Sequence, residues 1–310
     1  MDSLYTDSGL LHKDFLEHMT HKNMLILACE KSGNQALIDR ARKMQPCGRR
    51  LLYAITDDGE VLLDSALFCR QRLCPVCQWR RSLKAYKVMH AACEHLGEGY
   101  SYQLLTMSRP NVKFSELAAE ITTLNRNSSA LFREGRVKAA VHGFYRAMEV
   151  TYNPDRDDYH PHFHVITAVK PSYYNSRYFI KRADMVDMWN RCNGHDRAAA
   201  GFDLSLDWRK VRNLDHDISE VAKYCTKPLS GYAHSDNSWE AVATQANMVN
   251  EILSGKRLVQ TSGVIRDAIR ITSDLRDLED PEDLSDGVSE DHVIKRMGYR
   301  YSDGEYQRYF

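Results

Sequence analysis

The sequence predicts an α+β fold in which a central antiparallel sheet is flanked by helices. Three observations carry that expectation. Residues 144–152 and 160–169 are rich in β-branched and aromatic side chains and flank the turn chemistry of Asn153-Pro154-Asp155, so they read as an antiparallel hairpin. An apolar run at 103–107, ending at Ser108-Arg109-Pro110, supplies a further buried strand. Helical stretches with start and stop signals stand on both sides, and helices mixed with antiparallel strands build α+β domains.

Taken in order, residues 1–46 are helical and partly amphipathic. Residues 79–95 form a helix closed by Gly97. Ser115 caps a helix running to about Arg133, with Gly135 beyond it. The stretch 174–192 reads as a helix that stops at Asn193-Gly194, and 202–208 as another strand. A short helix over 217–227 is broken by Pro228. A last helix over 238–254 ends at Gly255, before an acidic segment and a tyrosine-rich end. This gives four regions: a helical extension (1–46), a cysteine- and arginine-rich region (47–97), a catalytic domain (98–232), and a helical C-terminal region with an acidic stretch (233–310).

Composition narrows the function. The 310 residues hold 42 lysines plus arginines and 42 aspartates plus glutamates, so the formal net charge is zero. Such a balance argues against coating nucleic acid by bulk charge and leaves room for local basic patches. Between Asp274 and Asp291 there are nine acidic residues and one basic one; without them, 41 basic and 33 acidic residues remain, a surplus of eight. A hydrophobic fraction of 43% with 10% aromatics builds a core and excludes disorder of the whole chain. No basic n-region precedes an apolar core at the start, and no apolar run nears the roughly 18 residues of a membrane span. The expectation is a soluble, cytoplasmic protein without membrane partners. Its eight cysteines then point to metal or free thiols before disulfides.

Three constellations carry chemistry. The first is His160-Pro161-His162-Phe163-His164 on the second hairpin strand. Alternate strand residues share a face, so all three imidazoles can meet one divalent ion. Glu149, on the partner strand, can add a carboxylate oxygen, which suits Mg²⁺ or Mn²⁺. Satisfied surface histidines and a cross-strand salt bridge are the plainer alternatives.

The second is the run from Glu220 to Lys227. On a helix Glu220 and Tyr224 share a face, with Lys223 and Lys227 nearby. A tyrosine beside lysines and a metal can attack phosphorus. Against this, Tyr224 also fits as a core aromatic, and Glu220 follows Asp217 at capping-box spacing.

The third is Cys69-x4-Cys74-x2-Cys77 with Cys47 upstream, a spacing that suits a structural zinc site. Arg70, Arg72, Arg80, Arg81, Lys84 and Lys87 flank it without an intervening acidic residue, and Trp79 and Tyr86 are interleaved. Such a composition fits phosphate-backbone contact with base stacking. Buried free thiols beside a solvated basic helix are the alternative.

The run His-Pro-His-Phe-His-Val-Ile, with Glu-Val-Ala-Lys-Tyr-Cys-Thr-Lys about 60 residues later, resembles the HUH endonucleases. It is most similar to the replication initiator proteins of rolling-circle plasmids, in the group known mainly from Gram-positive hosts. The Phe-Cys-Arg-Gln-Arg-Leu-Cys-Pro-Val-Cys block resembles that group's N-terminal block, and 103–107 sits where the family has its first strand motif, here degenerate at Met107-Ser108-Arg109. The resemblance spans roughly Cys47 to Pro228.

It implies a palm-like HUH sheet, metal ligation by His162 and His164, and Tyr224 as nucleophile. Glu149 is the favoured third ligand, with His160 as competitor. Glu220 takes the place of a glutamate implicated in ending the replication cycle. The implied activity is nicking and rejoining of one origin strand, single-stranded or extruded as a hairpin, through a 5′-phosphotyrosine link. Lys223 and Lys227 would screen the transition state. Implied partners are origin DNA, a host polymerase and helicase, and a second copy of the chain. The rival readings are an HUH transposase or relaxase, a non-catalytic zinc-knuckle DNA-binding protein, and a metal-dependent oxygenase or hydrolase.

Overall fold

A computed structural model of the chain describes residues 13–194, 205–224, 238–278 and 283–310. Their helices and strands are, in order, α1 (Lys13–Lys31), α2 (Gln35–Met44), β1 (Arg50–Thr56), β2 (Val61–Ala66), α3 (Pro75–Leu96), β3 (Ser101–Ser108), α4 (Phe114–Arg133), α5 (Gly135–Ala140), β4 (Gly143–Asn153), β5 (Asp158–Val169), α6 (Arg182–Cys192), β6 (Leu206–Lys210), α7 (Leu214–Tyr224), α8 (Trp239–Glu251), β7 (Val259–Ser262), α9 (Gly263–Thr272), β8 (Val293–Ser302) and β9 (Glu305–Arg308). The class is α+β, with antiparallel sheets and flanking helices.

The chain forms two compact units. One comprises Met1–Arg81, Leu229–Glu251 and Pro281–Phe310; the other comprises Ser82–Pro228 and Ile252–Asp280. The division falls inside α3.

The first unit is built on the sheet β2-β1-β8-β9. Asp57-Asp58-Gly59 turns β1 into β2, and Asp303-Gly304, both at positive φ, turn β8 into β9. Asp-Gly is the sequence that such tight hairpin turns select. Residues 293–308 thus form strands where the sequence predicts part of a helical region. β8 has three successive buried residues in place of the alternation that marks a strand, and β9 is four residues long. Buried Phe15, Met19, Leu25, Leu37 and Met44 line α1 and α2, and Asn34 caps α2 through the N–H groups of Ala36 and Leu37.

The second unit is built on the sheet β6-β3-β5-β4-β7. One face carries Tyr102, Leu104, Tyr145, Ala147 and Ile166, which share a buried cluster with Met89 and Ala92 of α3, Ile218 and Val221 of α7, and Ile265 and Ile269 of α9. α4 lies against β5 and α6. Gly143 lets β7 approach: a Cβ there would stand 2.7 Å from the Ser262 carbonyl oxygen.

Several expected boundaries move; α4 begins at Phe114 after Lys113, so Ser115 lies inside the helix and does not cap it. The helix read over 174–192 begins only at Arg182. Before it, Pro171–Asn175 forms a single 3₁₀ turn, and the Tyr173 hydroxyl accepts the N–H of Ile180 at 3.0 Å, closing a loop where helical bonds would otherwise run. α7 begins before Asp217: Asn213 accepts the His216 N–H at 3.0 Å and caps it. Asp217 is buried within the helix against Arg209 at 3.1 Å, so the Asp217–Glu220 spacing is not a capping box.

Candidate metal centres and nucleic-acid surface

The β4–β5 register sets Glu149 opposite His162 and Ala147 opposite His164, and β3 sets Ser108 opposite His162. Residues opposite each other in a ladder point to one face, so Glu149, His162 and His164 lie together. Glu149 Oε2 stands 2.9 Å from His162 Nε2 and 3.3 Å from His164 Nε2. Ligand atoms from all three lie within 4.8 Å of one another. β3 pairing ends at Ser108–His162, so Pro161 sits where β5 has one free side, the place a strand tolerates proline.

The polar atoms of this cluster are of a kind that can hold a cation. His162 Nδ1 lies 3.0 Å from the His160 carbonyl oxygen, which can only accept, so Nδ1 carries the proton. Nε2 then faces a carboxylate oxygen, and two acceptors at 2.9 Å need a shared proton or a metal between them. Burial pushes the Glu149 carboxyl up, but hydrogen bonds from His162 and His164 outweigh it and hold it down at about 2. Cis oxygen and nitrogen ligands on an octahedral ion with bonds of about 2.1 Å are about 3.0 Å apart. The observed separations fit that edge. His160 stacks on His162 at 4.8 Å between ring centres, and burial, then His162, hold it down at about 4. It stands outside the converging group.

α7 crosses the same face of the sheet. Val221 and Ala222 pack with Ala147, the cross-strand neighbour of His164. The helix ends at Lys223 and Tyr224, and Glu220 lies half-buried one turn earlier. Lys227 lies outside the described residues.

Four cysteines converge in the first unit. Cys47 Sγ is 3.4 Å from Cys77 Sγ and 3.5 Å from Cys74 Sγ, and Cys69 Sγ is 3.7 Å from Cys77 Sγ. Zinc–sulfur bonds of about 2.3 Å in a tetrahedron give sulfur edges of about 3.8 Å, so the cluster is close to zinc size. Pro75 starts α3, which brings Cys77 back over Cys74. Hydrogen bonds from Cys47, Cys74 and Cys77 hold the Cys69 thiol far below its usual range. A residue outside the cysteine motif completes this site. Lys22, fully buried on α1, donates to the Cys47 carbonyl at 2.6 Å. Burial lowers its pKa while Cys47, Cys74 and Cys69 push it back up. The signal was available: Lys22 stands among Met19, Leu25 and Ile26 on the inward side of α1.

The basic residues around the cysteines divide. Arg70 is exposed, while Arg72 and Lys84 are half-buried, Lys84 lying 3.6 Å from Asp277. Arg80 and Arg81, expected on a DNA-facing surface, are buried. Arg80 donates to Asp286 at 2.8 Å and to the Leu284 carbonyl at 2.7 Å; Arg81 donates to the Arg70 carbonyl at 2.6 Å. The absence of acidic residues between Cys69 and Lys87 misled, because their carboxylate partners arrive from the acidic stretch some 200 positions later.

A sheet face that gathers a carboxylate and two imidazoles beneath a tyrosine-bearing helix, with a four-cysteine cluster upstream, defines a class: an α+β protein with the H-x-H arrangement and two side-chain clusters of a kind that can hold a metal ion. Comparison with known proteins narrows it. The profile of the "Replication protein" family matches residues 60–310, so the chain belongs to that family. It is 31% identical over 249 residues to a "Protein rep" of Bacillus amyloliquefaciens, covering 74% of this chain and 71% of that one. It is 30% identical over 268 residues to a "Protein rep" of a Bacillus species, covering 81% and 86%. A Staphylococcus aureus "Protein rep" is 34% identical over 163 residues, 51% of this chain and 69% of the relative. No solved structure matches. The resemblance to replication initiators drawn from the motifs is borne out. No helix among the described residues is long and apolar enough to cross a membrane.

Proposed function

We propose that this chain starts rolling-circle replication of a plasmid in the cytoplasm by nicking one strand of its origin and later resealing it. The observation that carries this reading is the placement of α7, ending at Tyr224, on the sheet face that holds Glu149, His162 and His164.

Glu149, His162 and His164 would hold Mg²⁺ or Mn²⁺; bound there, the ion would polarise the oxygens of the scissile phosphate. Tyr224 Oη attacks phosphorus in line, the 3′ oxygen leaves as a hydroxyl, and the 5′ phosphate stays on the tyrosine. The phosphodiester energy is kept in that ester, so the break can be resealed. The freed 3′ hydroxyl would prime a host polymerase, with a host helicase opening the duplex. At the end of a round Glu220, one turn before Tyr224, would take the proton from a water that cuts the regenerated origin phosphodiester; the 3′ hydroxyl freed by that cut would attack the phosphotyrosine, reseal the strand and release Tyr224. Lys223 and Lys227 would offset charge at phosphorus. Cys47, Cys69, Cys74 and Cys77 would hold a structural Zn²⁺. Arg70, Arg72 and Lys84 would contact DNA; Arg80 and Arg81 are given over to Asp286 and backbone carbonyls.

The test is denaturing electrophoresis after mixing the full chain with a single-stranded origin oligonucleotide and Mn²⁺. A covalent adduct forms in the wild type and not in Tyr224→Phe, which still binds the oligonucleotide. An adduct that persists in Tyr224→Phe, or nicking indifferent to EDTA, overturns the reading.

A further inference from the structure

The loop between β5 and α6 carries a surface for which the nicking chemistry has no use. From Lys170 to Arg182 the chain holds four basic residues, four aromatic ones and no acidic one. Tyr173 anchors the loop. It is buried, its hydroxyl accepts the Ile180 N–H, and its ring lies 5.2 Å from Tyr174 and 5.4 Å from Phe179. On this anchor the outer rings stay open: Tyr178 is 43% exposed and Phe179 40%.

Cations stand against the rings. Lys210 Nζ is 4.6 Å from the centre of Tyr174, and the Arg177 guanidinium is 4.9 Å from the centre of Tyr178. Lys170 Nζ is 4.0 Å from the centre of Tyr100. Gln103 fixes Tyr174 by donating to its hydroxyl at 2.7 Å, and Lys210 lies opposite Gln103 on the edge strand β6. Lys170, Arg177 and Lys210 are all exposed. A cleft of about 450 Å³ beside Tyr100 is lined by Lys210 and Arg212 together with Glu94, Glu98 and Asp215.

Open aromatic faces interleaved with cations match a nucleic-acid strand whose bases are unpaired, because phosphates meet the cations while bases stack on the rings. A duplex keeps its base faces in its own stack and would gain nothing from Tyr178 or Phe179. The loop begins six residues after His164, about 20 Å further along β5. We propose that this loop and Lys210 form a sequence-tolerant platform for single-stranded DNA, apart from the metal cluster. It rests on the reading of this chain as a nicking enzyme, and it would hold unpaired strand away from the nick, since Gln103 and Lys210 share the sheet face opposite that of His162 and His164.

The test measures binding of labelled oligo-dT to the full chain by fluorescence anisotropy, in EDTA, across a salt series. The platform predicts that Lys170→Ala/Arg177→Ala/Lys210→Ala binds at least about tenfold more weakly and lowers the slope of log affinity against log salt by about 2. It predicts that Tyr178→Ala/Phe179→Ala also binds about tenfold more weakly, with the salt slope unchanged. Circular dichroism confirms that both remain folded, and both still form the Tyr224 adduct on a saturating short origin oligonucleotide. Unchanged oligo-dT affinity in either variant overturns the platform, as does an equal loss of duplex binding. Weakened oligo-dT binding with no adduct in the wild type supports the platform and sinks the nicking reading alone.

Discussion

Glu149 and His162 face each other across β4 and β5 with Oε2 and Nε2 2.9 Å apart, and the proton on His162 Nδ1 is already committed to the His160 carbonyl. The pair is therefore set to share a cation. Glu149→Gln keeps the shape and removes the charge. Mn²⁺ affinity, measured by calorimetry, should fall at least about tenfold. An unchanged affinity would return Glu149 to a cross-strand salt bridge.

The cysteine cluster should bind zinc with a stoichiometry of one. Cys47→Ser should lose the metal and destabilise the first unit, read as a lower urea midpoint with zinc than the wild type shows. Lys22→Met keeps all four sulfurs but removes the buried cation that holds the Cys47 carbonyl. Zinc retention against a chelator should weaken by about 10–100-fold, as for other residues that orient metal ligands. Equal retention in both proteins would make Lys22 a packing residue only.

Much of this was legible in the sequence, and the reasons are local. The hairpin of β4 and β5 announces itself through β-branched and aromatic content and through Asn153-Pro154, and the His160-His162-His164 alternation fixes a face once the strand is granted. The sequence favours Glu149 beside the histidines, with His160 as competitor, but its place depends on register: a shift of one would have put Met148 or Val150 opposite His162 in place of Glu149. The same holds for Arg80, whose partner Asp286 is remote in sequence. Strands β1, β2, β8 and β9 carried a readable signal, the Asp58-Gly59 and Asp303-Gly304 turns, which the cysteine and tyrosine content around them obscured.

His18 gives the first unit a pH dependence. Its ring stacks on Trp79 at 4.9 Å, and burial holds it down from 6.5 to about 4. Between those values the unfolded chain binds a proton that the folded chain refuses, so stability is full above about pH 6.5 and falls as the pH drops toward 4. His18→Gln should flatten that part of the profile, measured as urea midpoints near pH 7 and near pH 5. The same slope in the variant would place the loss elsewhere.

Gly143→Ala tests the close approach of β4 and β7. The added carbon meets the backbone of Ser262, Val264 and Ile265, none of which can swing aside. A loss of about 1–3 kcal/mol is expected from equilibrium unfolding, the usual cost of overpacking. A neutral substitution would show that the two strands can separate freely.

The pairing of β1 with β8 has a consequence for how the protein is made. Arg50 pairs with Arg300, so one side of β1 stays open while the ribosome adds about 250 further residues. At about 5–20 residues per second that is a wait of roughly 12–50 s. A nascent chain can build the β4–β5 hairpin long before the sheet beside the cysteine cluster is closed. A message cut short between residues 225 and 293 yields a chain that carries the histidines and the tyrosine but never the finished first unit.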